Sequence, residues 1–62
     1  MLKPECTLTG ENGNIFNLLA IASLALKQAD LREQAKEMQT RVMSSENYDE
    51  ALVIIGEYVE IN

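Results

Sequence analysis

The chain has no histidine and only one cysteine, Cys6. Together these shortages exclude a disulfide within the monomer and the Cys/His sets from which structural zinc sites are built. They also leave Cys6 without an imidazole to activate it, so thiolate catalysis has no support. Cys6 reads as a small, half-buried apolar residue, and a free thiol suits a reducing cytoplasm. Basic residues are missing from one end. Residues 1–45 balance Lys3, Lys27, Arg32, Lys36 and Arg41 against Glu5, Glu11, Asp30, Glu33 and Glu37. Residues 46–62 carry Glu46, Asp49, Glu50, Glu57 and Glu60 with no Lys or Arg, so the net charge of −5 lies there. That imbalance disfavours direct contact with nucleic acid phosphates and suits a basic partner. Long apolar runs are also lacking. The longest, Ile15 to Leu26, is shorter than the about 20 residues a membrane helix needs. It is preceded by Lys3, Glu5 and Glu11 rather than by a positive leader region. The expectation is a cytoplasmic protein that does not enter the membrane.

What is present is an apolar fraction of 47% in 62 residues. This composition specifies one small globular domain, 1–62, and argues against disorder. At this length stability rests on helix packing, completed or not by self-association.

Punctuation divides the chain. Pro4 disfavours helix at Lys3. Cys6-Thr7-Leu8-Thr9 favours extended backbone, and Gly10-Glu11-Asn12-Gly13 is a turn cluster in which Asn12-Gly13 tolerates positive φ. Residues 1–13 therefore form an extended segment and turn. Asn14 caps a first helix over 14–29. Asp30, with Glu33 three residues on, starts a second over 31–43. Ser44 to Asn47 breaks the chain, and Asn47 with Glu50 repeats the cap spacing for a third helix over 48–58. The tail Val59-Glu60-Ile61-Asn62 either extends that helix or pairs as a short strand with Cys6–Leu8. The fold class is mainly α: three short helices and an extended N-terminal segment, with a minimal two-stranded pairing of the termini as one option for the tail. No internal repeat or low-complexity segment is present.

At about 100° per residue the faces of the helices differ. In the first, Ile15, Leu18, Leu19, Ile21, Ala22, Ala25, Leu26 and Ala29 cover an arc of roughly 160°, with Asn17, Ser23, Lys27 and Gln28 opposite. Phe16, Ala20 and Leu24 lie among those polar positions. They are either wrapped by the other elements or form a self-association face, making the chain a monomer or a homodimer. The second helix has a narrow stripe of Leu31, Ala35, Met38 and Val42. The third has a broad apolar face of Tyr48, Ala51, Leu52, Ile54, Ile55, Tyr58 and Val59. Leu19, Ile21 and Leu26 should be nearly buried, with Leu52 and Ile55 against them. Met38 and Met43 are expected to fill gaps in the core, and Tyr48 and Tyr58 to cover its edge with their hydroxyls in water.

Catalytic and cofactor signatures are weak. Gly10-x-x-Gly13-Asn14 precedes a helix, but no Gly-Lys-Ser/Thr follows and Glu11 would repel an anion, so it reads as a structural turn. Asn47-Tyr48-Asp49-Glu50 does not supply the ligand order of a calcium loop. No cofactor or metal is expected. Glu46, Asp49, Glu50, Glu57 and Glu60 gather in an arc of about 100° around Val53. This acidic stripe is either a solvated helix face or a docking face for a basic protein.

Some of these segments also resemble known sequences. Gly10-x-x-Gly13-Asn14-Ile15-Phe16-Asn17-Leu18, Leu26-Lys27, Gln34-Ala35-Lys36-Glu37-Met38, Tyr48-Asp49-Glu50-Ala51-Leu52 and Glu57-Tyr58-Val59 resemble a group of small uncharacterised proteins. These are encoded by phages and conjugative mobile elements of bacteria, mainly Gram-positive ones. The resemblance implies a cytoplasmic accessory protein of a mobile element and brings no functional residue with it. The expected function is a small non-enzymatic interaction protein that presents an acidic or apolar helical surface to a protein partner. The alternative is an acidic, nucleic-acid-mimicking inhibitor of a DNA-binding or restriction protein.

Overall fold

A computed structural model of the chain describes residues 3–8, 10 and 13–62. Its elements run β1 (Glu5–Cys6), α1 (Ile15–Gln28), α2 (Arg32–Met43), α3 (Tyr48–Tyr58) and β2 (Glu60–Ile61). The connections 29–31 and 44–47 are short, so successive helices turn back on one another. The starts of α1 and α3 and the end of α2 therefore share one end of the bundle. The Glu11-Asn12 part of the expected turn lies outside the described residues. Gly10 has φ +85°, the left-handed backbone such a turn requires. Gly13 does not share it, and a Cβ there would meet the Tyr48 hydroxyl at an ordinary 3.6 Å.

Asn14 and Asn47 cap their helices as the spacing predicts. Asn14 Oδ1 accepts from Phe16 N at 2.9 Å and Asn47 Oδ1 from Glu50 N at 2.8 Å. Asp30 does not cap α2. It takes φ +62° and ends α1: Asp30 N donates to Lys27 O at 3.0 Å and Leu31 N to Leu26 O at 2.8 Å. This is a Schellman closure with Asp in the position glycine usually holds. A reversal this tight needs a left-handed residue to satisfy the last carbonyls of α1, and Asp tolerates that conformation. Leu31 becomes the N-cap of α2, which has no side-chain cap.

The core contains Leu18, Leu19, Ala22 and Leu26 of α1, Ala35, Met38 and Val42 of α2, and Ala51, Ile54, Ile55 and Tyr58 of α3, closed by Cys6 and Val59. Ile21, expected to be nearly buried, is only partly so, and like Leu52 it packs on the margin of the core. Ser23, expected on the polar side, is buried because α2 covers it, and its Oγ accepts from Gln39 Nε2 at 2.9 Å.

The termini pair. Val59 leaves the helix with φ −130° and ψ 154°, and β2 lies parallel to β1 with Glu5 opposite Glu60 and Cys6 opposite Ile61. Glu60 N donates to Pro4 O at 2.8 Å, Asn62 N to Cys6 O at 2.9 Å and Leu8 N to Asn62 O at 3.0 Å. Cys6 and Val59 face inward, so the pairing closes the core with two residues that belong to no helix. Among the described residues no helix is long and apolar enough to cross a membrane.

Candidate functional site

The six residues of the expected acidic stripe are all exposed, but they do not lie along one helix. Glu46 sits in the bend before α3, Asp49, Glu50, Val53 and Glu57 on α3, and Glu60 in β2. The helix stops short of Glu60 because the tail gains a strand partner and a buried Val59. Glu57 is also engaged. Arg41 of α2 grips it with both arms, Nη1 to Oε1 at 2.9 Å and Nη2 to Oε2 at 3.2 Å. That hydrogen-bonded pairing holds the Glu57 carboxyl below its ordinary range and the Arg41 guanidinium above its own.

The same arginine belongs to a polar cluster at the α2–α3 seam. Tyr58, expected to hold its hydroxyl in water, is buried, and that hydroxyl donates to Glu37 Oε1 at 2.6 Å. It also accepts from Arg41 Nη1 at 3.1 Å, and the guanidinium carbon lies 5.6 Å from the centre of the Tyr58 ring. Burial is the main reason the Tyr58 hydroxyl titrates above its ordinary value. Each polar group here has a protein partner, so the cluster acts as a clamp between two helices. The spacing of Glu37, Arg41, Glu57 and Tyr58 offered no sign of it, because the contact depends on how α2 and α3 dock.

The apolar surface is more informative. Phe16 is 62% exposed, Leu24 56%, Met43 65% and Val53 65%. Phe16, Ala20 and Leu24 are thus left uncovered by the other elements. Met43 does not fill the core, and its position indicates why. It sits about 100° past Val42 and so leaves the Leu31–Ala35–Met38–Val42 stripe. Phe16 and Met43 both lie at the end of the bundle where α1 starts and α2 stops.

Between them lies a cleft of about 300 Å³ lined by Ile15, Phe16, Val42, Met43, Ser45, Glu46, Asn47, Tyr48 and Ala51. The Tyr48 hydroxyl, also expected in water, donates to Gly13 O at 2.7 Å and fixes the ring as one wall. Among the described residues Glu46 is the only charged one lining the cleft, and Asp49 and Glu50 follow on the first turn of α3. By helical pattern alone Phe16 and Glu46 belong to separate surfaces. Met43 and Tyr48 had no part in an expected site, although Met43 could have been found from its phase.

Among the described residues the groups able to do chemistry are dispersed. Cys6 is buried against the core, and that burial raises its thiol pKa. Among the described residues no three His, Cys, Asp or Glu side chains gather as a metal site would require. Compared with protein-family models, curated proteins and solved structures, the chain has no significant match in any of the three.

Proposed function

We propose that the protein is a small non-enzymatic interaction module, working in the cytoplasm, that binds a protein partner through its exposed apolar surface. The observation that carries this reading is the exposure of Phe16, Leu24 and Met43, each by more than half, on a chain of 62 residues. Large apolar side chains left uncovered close together mark contact surfaces more often than scattered ones do. The hydroxyl of Tyr58 and the thiol of Cys6 are engaged in the seam and the core, which fits a binding role better than catalysis. The acidic residues would act at the edge of that surface as selectors of charge. A nucleic-acid mimic would need its carboxylates free along one face, and the pairing of Glu57 with Arg41 weakens that alternative.

Affinity capture from the native host, with partners identified by mass spectrometry, tests the reading. The wild-type chain should retain a partner that a Phe16→Ser, Leu24→Ser variant loses while keeping its helical circular dichroism. Identical capture by both chains would remove the apolar surface from the function.

A further inference from the structure

We infer that the cleft between Phe16, Met43 and Tyr48 is the docking site, and that its occupant is a basic amphipathic segment of a partner protein. One large apolar side chain of that segment would enter the cleft while its Lys or Arg residues face Glu46, Asp49 and Glu50. The inference rests on the interaction-module reading and gives that reading a place and a chemistry.

Three observations choose this occupant. First, the cleft's walls suit an apolar anchor. Phe16 and Met43 are exposed, Val42 and Ala51 form a buried floor, and Tyr48 is pinned through Gly13. Pinning an aromatic wall before binding reduces the ordering cost of the complex. Thioether and aromatic side chains also adapt to an anchor of varied shape.

Second, among the described residues the unpaired charge beside the cleft is acidic. Glu46 lines the cleft and Asp49 and Glu50 follow it on α3. Arg41, the cation nearest in sequence, is held by Glu57. Lys27, Arg32 and Lys36 belong to the last turn of α1 and the first half of α2, toward the opposite end of the bundle. A partner carrying positive charge is therefore complementary to the rim, and an acidic one is repelled.

Third, a second copy is a poor occupant. Each chain carries −5, and a two-fold contact over the cleft would bring two sets of Glu46, Asp49 and Glu50 together. The accessible surface of 4250 Å² is close to the about 4000 Å² expected of a compact monomer of this mass, so the chain is already compact by itself.

The test uses the full chain and two synthetic helical peptides, one of alternating leucine and lysine clusters and its twin with glutamate for lysine. In an amide NMR titration the lysine peptide should shift Ile15, Phe16, Met43, Ser45 and Tyr48 most. Binding should weaken as salt rises and fall at least about ten-fold in Met43→Ser and in Glu46→Lys, both exposed positions whose change leaves the melting temperature near wild type. The glutamate twin should not bind. The inference is overturned if the shifts centre on Ala20 and Leu24, if the twin binds equally, or if Glu46→Lys has no effect. It is equally overturned if the concentrated chain dimerises through these same residues. The two readings fail separately. Host capture that survives Met43→Ser but is lost in Leu24→Ser overturns the cleft and keeps the interaction module. Peptide binding in the cleft with no captured host protein does the reverse.

Discussion

Tyr58 shows how much one side chain can tie together. Its ring fills the core, and its hydroxyl joins Glu37 and Arg41. Tyr58→Phe keeps the ring and removes the hydroxyl, leaving the Glu37 carboxylate to water and the Arg41 guanidinium to Glu57 alone. The expected cost is about 1 kcal/mol, read from urea unfolding at pH 7. The pH dependence follows from the direction of the shift. Because the folded hydroxyl holds its proton to higher pH than the unfolded one, this stability is fully present below the unfolded value of 10.0. It is lost as pH rises through the folded value. Cys6 acts in the same sense from its ordinary value of 9.0 upward. The wild type should therefore lose stability as pH rises above 9, and Tyr58→Phe should lose less. Glu57 works in the opposite direction. Its lowered pKa gives stability that is present above the ordinary carboxylate value and lost as pH falls through the folded one. Asp30 is a second informative residue. At φ +62° it holds a conformation that costs most side chains about 1–2 kcal/mol, and glycine avoids that cost. Asp30→Gly should raise the melting temperature and Asp30→Val lower it. The opposite order would mean that the Asp carboxylate contributes more at this turn than its backbone strain costs.

At the scale of elements, each helix carries its own ending device, and the two Asn caps are equivalent in chemistry. Asn14→Ala should cost about 1 kcal/mol in thermal unfolding, because Phe16 N–H loses its partner. The strand pair is the smallest element. Two residues on each side could not hold together alone. They persist because Cys6 and Val59 are buried beneath them and because Lys3 Nζ, from the chain leading into β1, donates to Gly56 O at 2.8 Å. That places a cation at the negative end of α3, which has no basic residue in its last turn. Glu60→Pro removes the N–H that reaches Pro4 O, and extended Val59 is already compatible with a following proline. Thiol labelling of Cys6 should accelerate in this variant while the helical circular dichroism stays near wild type. Unchanged labelling would show that the helices alone shield Cys6.

For the whole molecule, the radius of gyration of 10.4 Å matches the about 11 Å of a compact chain this long. A core of thirteen buried apolar side chains among the described residues leaves little reserve. Leu26, fully buried where α1 turns into α2, also anchors the Schellman closure through its carbonyl. Leu26→Ala should cost about 2–5 kcal/mol, enough to abolish cooperative melting or nearly so. A melting curve close to wild type would show that the core can collapse around the loss. The charge of the molecule is divided by the same packing. Arg41 spends its charge on the α2–α3 seam, and Glu46, Asp49 and Glu50 stay at the end that carries the cleft.

The three helices, their Asn caps and the core stripes of α2 and α3 were legible from local pattern, because capping chemistry and a 3.6-residue period act over a few residues. So was the exposure of Glu46, Asp49 and Glu50. The pairing of the termini was legible as one option for the tail, from its alternating pattern. The role of Asp30, the burial of Ser23 and Tyr58, and the cleft shared by Phe16 and Met43 were not. Each of these depends on which residues distant in sequence come within reach. Ser23 and Gln39 are 16 apart, Tyr58 and Glu37 are 21 apart, and Tyr48 and Gly13 are 35 apart. A helix pattern states which face is apolar. The angle and register at which two such faces dock decide which polar groups become partners and where an opening remains.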